Sequence, residues 1–143
     1  MVVRVGERHV PENERNLQLN ACWEARELAM HTIRICTNEN IFLPIYKEAL
    51  TDKLINMSIS IYLNVWSANN VRVTRSNEWS RRHTLQQQAL MSCESMLALI
   101  GLSRQVFHLR NKKVNYWSKL LINTENSIRK WEKSDIKRFS KFE

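Results

Sequence analysis

Between Leu50 and Ala68 the apolar residues fall on two sides of a helix. Leu50, Leu54, Met57, Ile61, Val65 and Ala68 recur at three- and four-residue steps along one face, whereas Ile55, Ile59, Tyr62 and Trp66 lie roughly 150° around the axis. A helix in a four-helix bundle buries one inward face against two neighbours, so a second stripe predicts a companion from outside the subunit. Left in water, four such side chains would forfeit on the order of 6 to 10 kcal/mol of burial. Ile55, Ile59, Tyr62 and Trp66 are therefore expected to form the interface of a homo-oligomer, a docked protein being the alternative.

Helical periodicity predicts three more helices. The first runs from Leu17 to Thr37, with a seam of Ala21, Ala25, Leu28, Thr32 and Ile35 widened by Cys22, Ala29, Ile33 and Cys36. The second starts at Pro44, whose missing N–H suits a first turn, and ends near Asn70. Ser76 is the expected N-cap of a third helix reaching His108, with a seam of Leu85, Ala89, Ser92, Met96, Ile100, Ser103 and Phe107 and with Cys93 and Leu97 beside it. Gly101 lies inside it at a cost of roughly 1 kcal/mol relative to alanine, which predicts a close helix contact or a kink. The fourth helix spans Asn111 to Phe139 and buries Val114, Trp117, Leu121, Ile128 and Trp131. Short connections make sequential neighbours antiparallel, so residues 17–143 are expected to form an all-α, antiparallel up-down four-helix bundle. Residues 1–16 lack a period and are expected to be a flexible arm, a brief Val2 to Val5 strand being the alternative.

Composition narrows the class. Two glycines and two prolines in 143 residues leave little of the turn chemistry that sheets and phosphate loops need. No run reaches the roughly 18 apolar residues of a membrane span, and charges occupy the N-terminus where a secretory core would lie, so a cytoplasmic protein is expected. Cys22 and Cys36 are about 20 Å apart on one helix, too far to bridge, and the three cysteines read as core residues.

Charge adds a partner. Lys and Arg number 22 against 14 acids, giving a formal net charge of +8 and a pI near 9.8, beyond what solubility asks. On the last helix Lys112, Lys119, Lys130, Lys133 and Lys137 fall within about 60° of one another opposite the core, with Arg129 at the margin. Arg72, Arg75, Arg81, Arg82, Arg104, Arg110 and Lys113 cluster near the connections flanking the third helix. Together these positions read as a sequence-blind nucleic-acid surface; a merely solvated lysine face is the plainer alternative. Trp79, beside Arg81 and Arg82, is the one tryptophan with a basic neighbourhood for base stacking. Glu125 and Glu132 lie near the seam of the last helix, where a lone carboxylate usually pairs with a neighbouring base. The histidines His9, His31, His83 and His108 show no ligand spacing, and no phosphate loop or Glu-x-x-His pair is present. Neither catalytic residues nor a metal or cofactor are expected.

The segments "ALTDKLINMSISIYLNVWSANNVRV" (Ala49 to Val73), "LQQQALMSCESMLALIGLSRQVFHL" (Leu85 to Leu109), "YWSKLL" and "IRKWEKSDIKR" (Tyr116 to Arg138) resemble the accessory variability determinants of diversity-generating retroelements. The likeness covers residues 20–138 in layout, and its distinctive wording lies in the last three helices. It implies a small basic four-helix bundle, assembled as a pentameric barrel, that binds a reverse transcriptase and its template RNA, with cDNA or DNA as further ligands, and supports mutagenic cDNA synthesis without catalysing it. The lysine stripe and the arginines around the third helix fit that role. A bundle family encoded in intervening sequences of large-subunit ribosomal RNA shares size and helix order, but its proline- and glycine-marked middle loop is missing at Asn69 to Ser76. A protein–protein scaffold is the other alternative.

Overall fold

A computed structural model describes residues 12–143. Four long helices form a bundle: α1 (Glu12–Cys36), α2 (Asp52–Asn70), α3 (Ser76–Phe107) and α4 (Asn111–Arg138). Helix α1 packs on α2 and α4, and α3 packs on the same two, so the helices occupy four corners around one core. Helix α1 begins five residues before the expected boundary at Leu17. Adding a turn to an already packed helix costs little, so a polar stretch without a seam can still be helical. The rest of the N-terminal arm, with its alternative strand, lies outside the described residues.

The seams of α2 and α4 are as expected: Leu50, Leu54, Ile61, Val65 and Ala68 are buried, as are Val114, Trp117, Leu121, Ile128 and Trp131, with Met57 half-buried. On α1 the inward residues are Ala21, Cys22, Ala25, Leu28, Ala29, Thr32 and Cys36, while Ile33 is exposed and Ile35 half-buried. The Trp117 indole N–H donates to Thr32 Oγ1 at 3.0 Å, which satisfies the one polar atom of a buried ring. Phe42, in the α1–α2 connection, plugs that end of the core against Phe107 (ring centroids 4.8 Å apart) and Trp117 (6.1 Å).

Entry into α2 is less regular than a helix from Pro44 would be. A 3₁₀ turn (Pro44–Tyr46) leads into a π-helical turn (Lys47–Thr51). Lys47 Nζ reaches Asp52 Oδ1 at 3.0 Å, a five-residue spacing that a π turn brings into register. At the start of α3 the N-cap is Arg75 and not Ser76. The cap is made by Glu78, whose Oε1 accepts the backbone N–H groups of Thr74 (2.8 Å) and Arg75 (3.0 Å) together with the Thr74 hydroxyl. Those bonds hold the Glu78 carboxyl below its ordinary range.

Gly101 contradicts the expected close contact. It is exposed, and a Cβ built on it meets nothing within 4 Å. Seven residues later α3 is capped by His108 in the left-handed region at φ 54°, where glycine is the usual residue. The glycine thus sits where alanine would serve, and a side chain sits where glycine would. Gly101→Ala and His108→Gly are each expected to stabilise the chain by about 1 kcal/mol, read as raised urea midpoints at unchanged slope. A destabilised Gly101→Ala would mean that α3 is covered at that point by another molecule.

Candidate nucleic-acid interface

Helix α4 turns its apolar seam inward, which leaves the residues half a turn away on the outside. Lys112, Lys119, Lys130, Lys133 and Lys137 are all exposed there, and among the described residues none of them forms an ion pair. At 1.5 Å per residue the line is about 38 Å long. Arg129 is exposed as well, but its guanidinium is shared between Glu94 (3.3 Å) and Glu125 (3.2 Å), which discounts it as a phosphate contact.

The arginines do not make one cluster. Arg72, Arg75 and Arg81 are exposed beside the α2–α3 connection, and Arg104 and Arg110 beside the α3–α4 connection, at opposite ends of the 32-residue α3 and so roughly 45 Å apart. The lysine line joins the two groups. Arg110 stands two residues before Lys112, and at the other end His83–Glu132 and Arg82–Asp135 contacts tie the start of α3 to the end of α4.

Arg82 is not on this surface. Its side chain is buried: Nε donates to Asp135 Oδ2 at 2.8 Å, Nη2 to Asp135 Oδ1 at 3.2 Å and Nη1 to the Val71 carbonyl at 3.3 Å. Gln86 Nε2 donates to the same carboxylate at 2.7 Å, and the guanidinium lies 5.1 Å from the Trp131 ring centroid. A charge can leave water only with such a complete set of partners. Trp79 is buried too, stacked on His83 at 4.7 Å with its indole N–H on Glu143 Oε1 at 3.0 Å, so it offers no platform for bases. Glu132 pairs with His83 at 2.9 Å, and Glu125 with Arg129, as seam carboxylates usually do. The buried Asp135 escaped the sequence reading, although it stands seven residues after Ile128 and four after Trp131, on the seam itself.

The highest concentration of unpaired positive charge is at the α3–α4 corner. From Ser95 to Thr124 the chain has no acidic residue, yet it contains Arg104, Arg110, Lys112, Lys113 and Lys119. Helix α4 starts there without an acid in its first turn and without a side-chain cap. Beside it the end of α1 and the start of α4 bound an open cleft of about 340 Å³, lined by His31, Ile35, Arg110, Lys112, Lys113 and Tyr116. His31 meets Tyr116 edge to face with centroids 5.0 Å apart, and its buried Nε2 has no hydrogen-bond partner. Burial, then Arg34 and Lys113, lowers the His31 pKa, so the imidazole is neutral at pH 7.

Of the second stripe on α2, Ile55 and Tyr62 pack against the core of their own subunit and Ile59 is half-buried, while Trp66 remains 38% exposed. The gain from covering this stripe is accordingly smaller than four fully hydrated side chains would give. The exposed grease extends farther than α2, however. Met57 and Asn64 line a groove with Gln88 and Met91 of α3, which turns the opposite flank of α2 toward α1; His31 and Ile35 of α1 face α4, which turns its opposite flank toward α2. On the sides of these helices away from the two grooves and from the core, Trp23 (52% exposed), Met30 and Ile33 of α1 and Trp66 and Leu63 (53%) of α2 are exposed. Moreover, residues 54–71 contain no charged side chain. The α1 stripe was missed although Trp23 and Met30, seven apart and opposite the seam, announce it.

Cys36 and Cys93 are buried, and burial pushes each thiol up to about 12, so neither is a thiolate nucleophile at pH 7. Among the described residues no three His, Cys, Asp or Glu side chains gather as metal ligands would, and no helix is long and apolar enough to cross a membrane. Set against protein-family models, curated proteins and solved structures, the chain matches none of them.

Proposed function

We propose that this chain is a non-catalytic, nucleic-acid-binding accessory protein that works in the cytoplasm as a homo-oligomer. The observation that carries the reading is the unpaired lysine line of α4 continuing into the acid-free α3–α4 corner. A line of point charges without base-reading geometry suits phosphates in sequence-blind fashion. The resemblance to accessory variability determinants then suggests the partner, a reverse transcriptase with its template RNA, and a pentamer as the assembled form. The up-down path proposed for the bundle is supported by pairs such as Thr32–Trp117 and Arg82–Asp135, each joining the end of one helix to the start of another.

Binding to a structured RNA at rising salt tests this directly. If about six phosphates of a single strand are neutralised, affinity falls roughly 300-fold between 50 and 200 mM salt. A scaffold that touches only protein would give no measurable binding at 50 mM, and that result would end the nucleic-acid reading.

Self-association is supported by the exposed apolar residues shared by α1 and α2, of which the α2 part carries no charge. Solvated helices normally keep a quarter or more of their surface charged, which residues 54–71 do not. Replacing Ile59 and Trp66 together with serine is expected to yield smaller particles in light scattering. An unaltered mass would remove these two residues from the interface.

A further inference from the structure

The cleft between the end of α1 and the start of α4 combines features that a phosphate surface alone does not require. Its wall is almost wholly carbon: the Ile35 side chain, the Tyr116 ring and the aliphatic stems of Arg110, Lys112 and Lys113. Cationic heads rim it, none of them in an ion pair among the described residues. Tyr116 is 54% exposed, although its edge contact with His31 restrains the ring. His31 contributes a neutral imidazole whose Nε2 lacks a partner.

From this arrangement we infer that the cleft receives one unstacked nucleobase of a bound single strand, stacked on Tyr116, with the flanking phosphates on Arg110, Lys112 and Lys113. The inference rests on the nucleic-acid reading above and adds to it the base itself. A planar ring with its anionic linkage satisfies both parts of the site, the ring lying on the apolar wall against Tyr116 and the linkage on the cations. The lysine line leads away from the cleft, so one strand can lie in both.

Two fluorescein-labelled RNA 12-mers of equal charge separate the base from the backbone: oligouridylate, and a strand of abasic ribose phosphates. Measured by anisotropy at 50 mM salt, oligouridylate is expected to bind about tenfold more tightly, the order of one base–aromatic stack. Tyr116→Ala should reduce oligouridylate to the abasic affinity while leaving the abasic strand unchanged, and Tyr116→Phe should restore the difference. Equal affinity of the two strands for the native protein, or a difference that survives Tyr116→Ala, overturns the nucleobase site and leaves the phosphate surface standing. Failure of both strands to bind overturns the two together.

Discussion

Replacing Asp135 with asparagine is expected to cost about 3 to 5 kcal/mol of folding stability, the largest loss from any single change of comparable size in this chain. The substitution keeps the shape and removes the charge, so the Arg82 guanidinium remains in a site where only 5% of its side chain meets solvent, without an ion partner. Gln86 loses an anionic acceptor in the same step. Urea denaturation followed by far-ultraviolet dichroism measures the loss. The converse test replaces both members, Arg82→Met with Asp135→Leu, and most of the stability should return, because two apolar side chains need no partners. A single variant within 1 kcal/mol of the native protein would mean that water reaches the pair.

Reversing Lys119, Lys130 and Lys133 to glutamate is expected to lower the salt dependence of RNA binding from roughly 300-fold to roughly 20-fold between 50 and 200 mM, as three of about six phosphate contacts disappear. Absolute affinity should drop at every salt concentration, whatever the RNA sequence. All three side chains are exposed and outside the ion pairs, so thermal stability should stay within about 0.5 kcal/mol of the native value. Undiminished binding by a folded triple variant would show that α4 is a solvated face and move attention to the arginines at the two ends.

What the sequence made legible follows from how much one helix can say about itself. Helices α2 and α4 have seams made almost purely of apolar residues, and their registers were readable from period alone. Helix α3 was read one position off in places: Leu85 and Ser92 are half-buried and Leu97 is exposed, whereas Trp79, Arg82, Gln86 and Leu90 point inward. Two of those inward residues are polar, and an arginine is compatible with a core only when its carboxylate arrives from elsewhere. Here that partner is 53 residues away, on a helix whose own reading gave it no charge to seek. Phe42 was hidden for a different reason, since it belongs to a connection and a single buried ring has no period. The base cleft lies between two helices that each look ordinary alone. On the basic surface the placement of the arginines beside the two connections of α3 was legible, and the length predicted for that helix already sets the two groups apart, but the burial of Arg82 was not.

The apolar α1–α2 side and the lysine line of α4 occupy different sides of the molecule, so copies that dock through the former leave every copy of the latter open. Such an assembly is multivalent toward a long polyanion: once one subunit has engaged, the next meets the same strand at a high local concentration, and avidity can exceed the single-site affinity by about 10² to 10⁴. The serine replacements at Ile59 and Trp66, which touch no cation, should therefore loosen the hold on long RNA far more than on a 12-mer.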